Sequence, residues 1–276
     1  MKRPESIVVV DLFPEILREL LDMLTGLSAE EWNKPTSCSL WSVKDVALHL
    51  LGGDVGILSR KRDQFLFTGG PAHKREELVA LINNLNDLWV KATRRISPRL
   101  LCELLGFTGT QVCEYFQSLD PLAAGDPVDW AGPGPAPVWL DLAREYTERW
   151  HHQQQIRDAV GKPGLKQPRF LALVLDAFVR ALPHTYRAIQ AAEGTLVALT
   201  IAGESGGQWF LHRENGAWNL YLDAGREPQA NVVVDQDVAW RLFTKGIRRE
   251  EARSKANILG DERLGAKVLD MVSVIA

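Results

Sequence analysis

A chain of 276 residues, 46% hydrophobic, 24% charged and 8% aromatic, reads as an ordinary globular protein long enough for two cores. Its net charge of −3, from 32 basic and 35 acidic residues without long runs of one sign, excludes the basic surface that nucleic acid or an anionic membrane requires. No apolar stretch approaches the ~20 residues that span a bilayer. The apolar run Ile7 to Val10 is short for a signal-peptide core, so the cytoplasm is the expected location.

From residue 11 to about 190 the dominant period is helical. Ile16, Leu17, Leu20, Leu21 and Leu24 recur at three and four, with Pro14 in the first turn, where its missing N–H costs nothing. Ser28 with Glu31 predicts a capping box ahead of a short turn carrying Trp32. Ser42 with Asp45 is a looser version and opens a helix over about 43–58. A third stripe runs from Leu78 to Ala92, and Ser97-Pro98 starts a fourth helix that Gly106 and Gly109 are expected to interrupt. Residues 120–137, dense in proline and glycine, predict a long loop. A helix follows from about Val138 to Val160, stopped by Gly161 and Pro163, and then an apolar helix over Phe170 to Leu182.

From about Thr195 the period becomes that of short strands: Leu196–Ile201, Gln208–His212, Ala217–Leu222 and Asn231–Val234. Gly206-Gly207 and Asn215-Gly216 supply hairpin turns. Two helices flanking a last strand near 256–259 complete a small α+β unit. The organisation expected is a helical bundle over 1–165, a connecting helix over 166–192 and the α+β domain over 193–276.

Three cysteines, Cys38, Cys102 and Cys113, without CxxC spacing, argue against disulfides and structural zinc. Cys102 and Cys113 fit buried apolar positions; Cys38, between Ser37 and Ser39, falls in a loop. Of the six histidines, His73, His184 and His212 read as solvated or hydrogen-bonded structural residues. The exception is Glu148-Arg149-Trp150-His151-His152. Glu148 and His152 lie four apart, so a helix projects both from one face, a spacing that lets an imidazole and a carboxylate share a metal ion. A surface acid beside a histidine is the bland alternative. On the helical wheel the pair lies opposite the stripe of Trp139, Leu142, Ala143, Tyr146 and Trp150, so the α+β domain or the proline-rich loop is expected to cover it. His151 points elsewhere. His49 sits at the edge of an apolar stripe, where a hydrogen-bonded core histidine is equally at home, and spacing alone does not bring it to the other two.

These same residues carry a family resemblance. The stretch Trp41 to Leu50, with Trp-Ser-x-x-Asp ahead of His49, resembles the signature of the DinB-like superfamily, in particular the N-terminal domain of mycothiol-dependent maleylpyruvate isomerase. Glu148, His152 and the exit Arg157-Asp158-Ala159-Val160-Gly161 are similar to the second half of that pattern. Asn257 to Asp261 resembles the strand-to-helix turn of the sterol-carrier-like domain of those isomerases. The resemblance implies a DinB-like four-helix bundle followed by a small α+β sterol-carrier-like domain, with His49, Glu148 and His152 as metal ligands. Two imidazoles and a carboxylate suit Zn2+ with an open fourth position, or another divalent metal. Gln153-Gln154-Gln155 departs from the acid-rich or apolar continuation of the resembling helices.

The resemblance implies a thiol-dependent isomerase or S-transferase. A free thiol with a pKa of about 8.5 is mostly protonated at neutral pH, and metal coordination removes that proton. The thiolate would add to an activated cis double bond such as that of maleylpyruvate, and rotation followed by expulsion gives the trans isomer. The thiol could be mycothiol, bacillithiol, ergothioneine or glutathione. Arg149, Arg248 and Arg249 are candidates for substrate or thiol carboxylates, because guanidinium binds carboxylate bidentately; solvated surface arginines are the alternative. Other readings are a metal hydrolase on the same site, a non-catalytic small-ligand-binding protein, and a degenerate interaction protein. The partners expected are small molecules, not nucleic acid or membrane, with the chain a monomer or homodimer.

Overall fold

Serine caps set where the N-terminal helices begin. The structure is a computed structural model that describes residues 1–65 and 75–274; His73 lies outside them. Helix α1 (Phe13–Thr25) carries Pro14 in its first turn. Helix α2 (Ala29–Trp32) opens on a full capping box of Ser28 and Glu31. Helix α3 (Val43–Ile57) opens on another, of Ser42 and Asp45, tighter than the spacing alone predicts. Helix α4 covers Arg75–Thr93 and α5 covers Pro98–Gln117. Contrary to expectation, α5 runs straight through Gly106 and Gly109. A β-carbon at Gly109 would lie 2.7 Å from Leu17 Cδ1, so the missing side chain makes room for α1 and does not break the helix.

Residues 121–137 also depart from the loop expected. They hold an antiparallel pair, β1 (Ala124–Pro127) and β2 (Pro135–Pro137), with Val128 and Trp130 buried in the connection. The pairing of Ala124 with Pro137 is non-local, and prolines are tolerated because neither strand lies inside a wider sheet. Helix α6 (Val138–Val160) follows, then α7 (Pro168–Val179) and the short α8 (Leu182–Tyr186), which divides the one apolar helix expected over Phe170 to Leu182.

The C-terminal sheet has order β5-β4-β3-β6-β7, with β3 parallel to β6 and every other pairing antiparallel. The strands are β3 (Leu196–Ala202), β4 (Gly207–Glu214), β5 (Ala217–Tyr221), β6 (Ala230–Asp235) and β7 (Asn257–Gly260). Asn215 and Gly216, at φ 52° and 74°, form the turn between β4 and β5 that two positive φ values require. Central β3 is buried along most of its length, whereas β6 alternates, with Ala230, Val232 and Val234 inward. Helix α9 (Gln236–Phe243) packs on β3 and β6, and α10 (Arg249–Lys255) precedes β7. Helix α11 (Glu262–Ala266) packs on β6 and β7.

The chain divides into two compact units, and the division falls within α6. Of the described residues, one unit holds those within 9–120 and 148–164; the other holds 1–8, 121–147 and 165–274. The proline-rich hairpin and α7 therefore group with the sheet, and the helical unit is assembled from both sides of the hairpin. In the helical unit α5 packs on α1 and α3, α3 on α4, and Ile156 and Val160 of α6 enter the core with Val43, Val46 and Leu105. No helix among the described residues is long and apolar enough to cross a membrane.

Candidate metal centre

The start of α3 decides where His49 stands. Ser42 Oγ accepts from the Asp45 amide, and Asp45 Oδ2 accepts from the Ser42 amide and hydroxyl. Arg94 grips the same carboxylate with Nε and Nη2 at 2.8 and 3.0 Å. The Trp-Ser-x-x-Asp stretch is thus a helix start pinned from a second segment, and His49 follows Asp45 by one turn. A further tie lies just beyond: Trp89 Nε1 donates to the Leu48 carbonyl at 2.8 Å, over Gly52, where a β-carbon would meet the indole at 2.7 Å. The Trp41 ring flanks His49, with centroids 5.0 Å apart.

Helix α6 supplies the other two residues. Trp150 through Arg157 are all buried, so this stretch is enclosed on every face. The face bearing Glu148 and His152, expected to need the α+β domain or the proline-rich loop as cover, meets α3 through His49 within the helical unit. The three buried glutamine side chains are hydrogen-bonded, as buried amides must be. Gln153 donates to the Ile16 carbonyl, Gln154 to the Gly164 carbonyl, and Gln155 to Cys38 Sγ. Arg157 reaches the Glu19 carboxylate and so ties the end of α6 to α1.

His49, Glu148 and His152 converge. One ligand atom from each lies within 4.8 Å of the others, the one such group of three or more among the described residues. Glu148 Oε1 lies 3.2 Å from His49 Nε2 and 3.0 Å from His152 Nε2. Metal–ligand bonds of about 2.1 Å at tetrahedral angles place ligand atoms roughly 3.4 Å apart, so the cluster fits a divalent ion with little movement. The imidazoles are 12% and 9% exposed, whereas Glu148 sits deep among neighbouring atoms yet keeps 36% of its side chain accessible. Of the three, Glu148 is the most accessible side chain.

The electrostatics of the cluster are uneven. Burial disfavours the charge on Glu148, but the His152 charge and the hydrogen bonds from both imidazoles outweigh it, and the carboxyl is held well below the usual range. Burial pushes His49 below the ordinary imidazole value of 6.5, leaving it neutral. For His152 burial acts in the same direction, but the Glu148 charge and the hydrogen bonds to Glu148 and Gln155 prevail, and its pKa is raised. Arg149, one residue from Glu148, turns to the buried Asp54 at 2.8 Å and lies over the rings of Phe13 and Phe116. Arg248 and Arg249 belong to the other unit at the start of α10; Arg249 pairs with Asp270 and Arg248 is exposed. His212 contacts Arg226 and Glu214 on β4, and His184 lies in α8.

Two residues around the cluster had no assigned role from sequence. Gln155 accepts from His152 Nδ1 at 2.7 Å while donating to Cys38, which is half-buried and not exposed in its loop. The signal for Gln155 was its spacing, three residues after His152 and so on the same helical face. Cys38, 117 positions away from Gln155, had none.

The sequence profile described as the mycothiol maleylpyruvate isomerase N-terminal domain matches residues 13–157, more than half of the chain, a range within which His49, Glu148 and His152 lie. The chain belongs to that family. Two solved structures resemble the chain in fold: the mycothiol-dependent maleylpyruvate isomerase, at 11% identity, and a mutant of that enzyme, at 10%. Each similarity covers 84% of this chain and 86% of the other, with a TM-score of 0.51. No curated protein sequence matches significantly. This chain has a helical N-terminal part and a C-terminal sheet domain, as the resemblance implied, and shares its fold with those structures.

Proposed function

We propose that this family member is a metal-dependent, low-molecular-weight-thiol-dependent isomerase or S-transferase acting on a small activated electrophile. The carrying observation is the convergence of His49, Glu148 and His152, in a chain of a family named for such an isomerase. These three residues would hold the ion, and zinc suits the donor set. A divalent metal with an open position supplies the deprotonation of a thiol at neutral pH.

The chain's own residues prepare that chemistry. Glu148 stays ionised and His49 neutral, the states in which both are ligands. The imidazoles are largely enclosed, and the Trp41 ring lies beside His49. The chain's thiols are unsuited to serve as nucleophile: burial raises the pKa of Cys38 and Cys102, and pushes Cys113 up to about 11. On this reading the reacting thiol is a small molecule, and the family name points to mycothiol. Of the candidate arginines for a substrate or thiol carboxylate, Arg149 is engaged with Asp54 and Arg249 with Asp270.

The test starts from protein purified without a metal-chelating tag. Elemental analysis is expected to find about one divalent metal per chain, lost in His49→Ala and His152→Ala. Maleylpyruvate should then isomerise only when mycothiol or another low-molecular-weight thiol is added. A wild type that neither carries nor takes up metal refutes the reading, and turnover without thiol replaces it with a hydrolytic one.

A further inference from the structure

His152 and His49 differ in how their outer ring nitrogens are treated. His49 Nδ1 is buried and has no hydrogen-bond partner. His152 Nδ1 is 2.7 Å from Gln155 Oε1, and the other end of that amide donates to Cys38 Sγ at 3.2 Å. The orientation of the amide follows from these two neighbours. The Cys38 thiol sulfur accepts from the NH2 end of the amide, and the carbonyl end faces the imidazole. A carbonyl facing Nδ1 keeps a proton there, and Nε2 is left to point at Glu148 and the centre. Were the amide reversed, its NH2 would face Nδ1, favouring the tautomer whose Nε2 carries the proton and cannot ligate.

We propose that Gln155 is a positioning residue for His152, fixing its Nδ1–H form and ring orientation, and that the Cys38 sulfur fixes the orientation of Gln155. This assignment rests on the metal reading above. It gives Cys38 a role as a hydrogen-bond acceptor with no chemistry of its own, in keeping with its half-buried place and raised pKa. It also accounts for a glutamine in the enclosed part of α6, where an apolar residue would pack without a polar group to satisfy. The two imidazoles are held unequally: Nδ1 of His152 has an acceptor in Gln155, and Nδ1 of His49 has no partner.

Zinc affinity, measured by competition with a chromophoric chelator on tag-free protein, separates the possibilities. Outer partners of ligating histidines are worth about 10- to 100-fold in affinity, so Gln155→Leu is expected to bind zinc that much more weakly. Gln155→Glu keeps an acceptor for Nδ1–H and should stay within about threefold of wild type. Cys38→Ala should lose a few-fold, Cys38→Ser should recover it, and Cys38→Ala should have no effect on top of Gln155→Glu, where there is no amide to orient. Unfolding of each metal-free variant shows any damage to the fold separately. Unchanged affinity in Gln155→Leu, or a Gln155→Glu loss as large as that of Gln155→Leu, overturns the proposal while leaving the metal site standing. If wild type binds no zinc, the metal reading fails, and imidazole 15N spectra of the metal-free protein decide. A slowly exchanging His152 Nδ1–H lost in Gln155→Leu upholds the positioning role, and no such proton in wild type ends it.

Discussion

Asp45 offers the most demanding test of how the fold holds the site. It lies one turn before His49, is 7% exposed, and its carboxylate serves three partners: the Ser42 amide, the Ser42 hydroxyl and the Arg94 guanidinium. Asp45→Ala removes half of a capping box, worth about 1 kcal/mol, and strands the Ser42 amide. The bidentate pair with Arg94 adds about 1–2 kcal/mol and not more, because Arg94 is 51% exposed and water screens its side of the pair. The sum, about 2–3 kcal/mol, corresponds to roughly 30- to 150-fold faster amide exchange across Val43–Ile57 where exchange follows local opening. Hydrogen–deuterium exchange of that peptide, read beside a control peptide from the sheet, measures it. The pH dependence has a definite sign. Burial raises the Asp45 pKa, but Arg94 and Ser42 outweigh it and the net shift is downward. The stabilisation is thus complete above the unfolded aspartate value of about 3.9 and is lost as pH falls through the lower folded value. Asp45→Asn should differ from wild type at neutral pH and converge with it in acid. Exchange within threefold of wild type in Asp45→Ala would refute the view that this cap anchors the His49 turn.

Asp54 bonds Arg149 and Thr108 in the interior, so Asp54→Ala should cost about 2–4 kcal/mol in urea unfolding; a loss below 1 kcal/mol would mean that Arg149 is held by other contacts. Gly260, at φ +82° and with a β-carbon position 2.2 Å from the Gln229 carbonyl oxygen, turns β7 into the Asp261 cap of α11. Gly260→Ala should destabilise by about 1–3 kcal/mol, visible as a lower thermal midpoint, and an unchanged midpoint would show that the turn can relax. Metal binding must displace the proton on His152, whose pKa lies above 6.5. Zinc affinity should therefore rise up to tenfold per pH unit until that raised pKa is passed and then level off, and a flat profile from about pH 6 to 7 in chelator competition contradicts this.

Much of the fold was legible from local rules, because those rules act within a few residues. Ser28, Ser42 and Ser97 marked three helix starts through oxygens that accept from backbone amides three positions on. Asn215-Gly216 marked a hairpin because few residue pairs tolerate two positive φ values. The four-residue spacing of Glu148 and His152 put both on one face of α6 before any packing was known. Where the local rules stopped, tertiary contacts decided. Glycines in α5 look like breaks in a sequence and prove to be a groove for Leu17; prolines in β1 and β2 look like loop residues until each strand finds the other. The meeting of His49 with Glu148 spans 99 positions, and periodicity is silent on which faces of two distant helices oppose each other. The resemblance supplied that pairing as an expectation, and packing of α3 against α6 supplies it as distance. Packing likewise turned Arg149 to Asp54 and brought Cys38 to Gln155, since helix spacing fixes only the face a side chain leaves from, and the elements packed against that face determine what it meets.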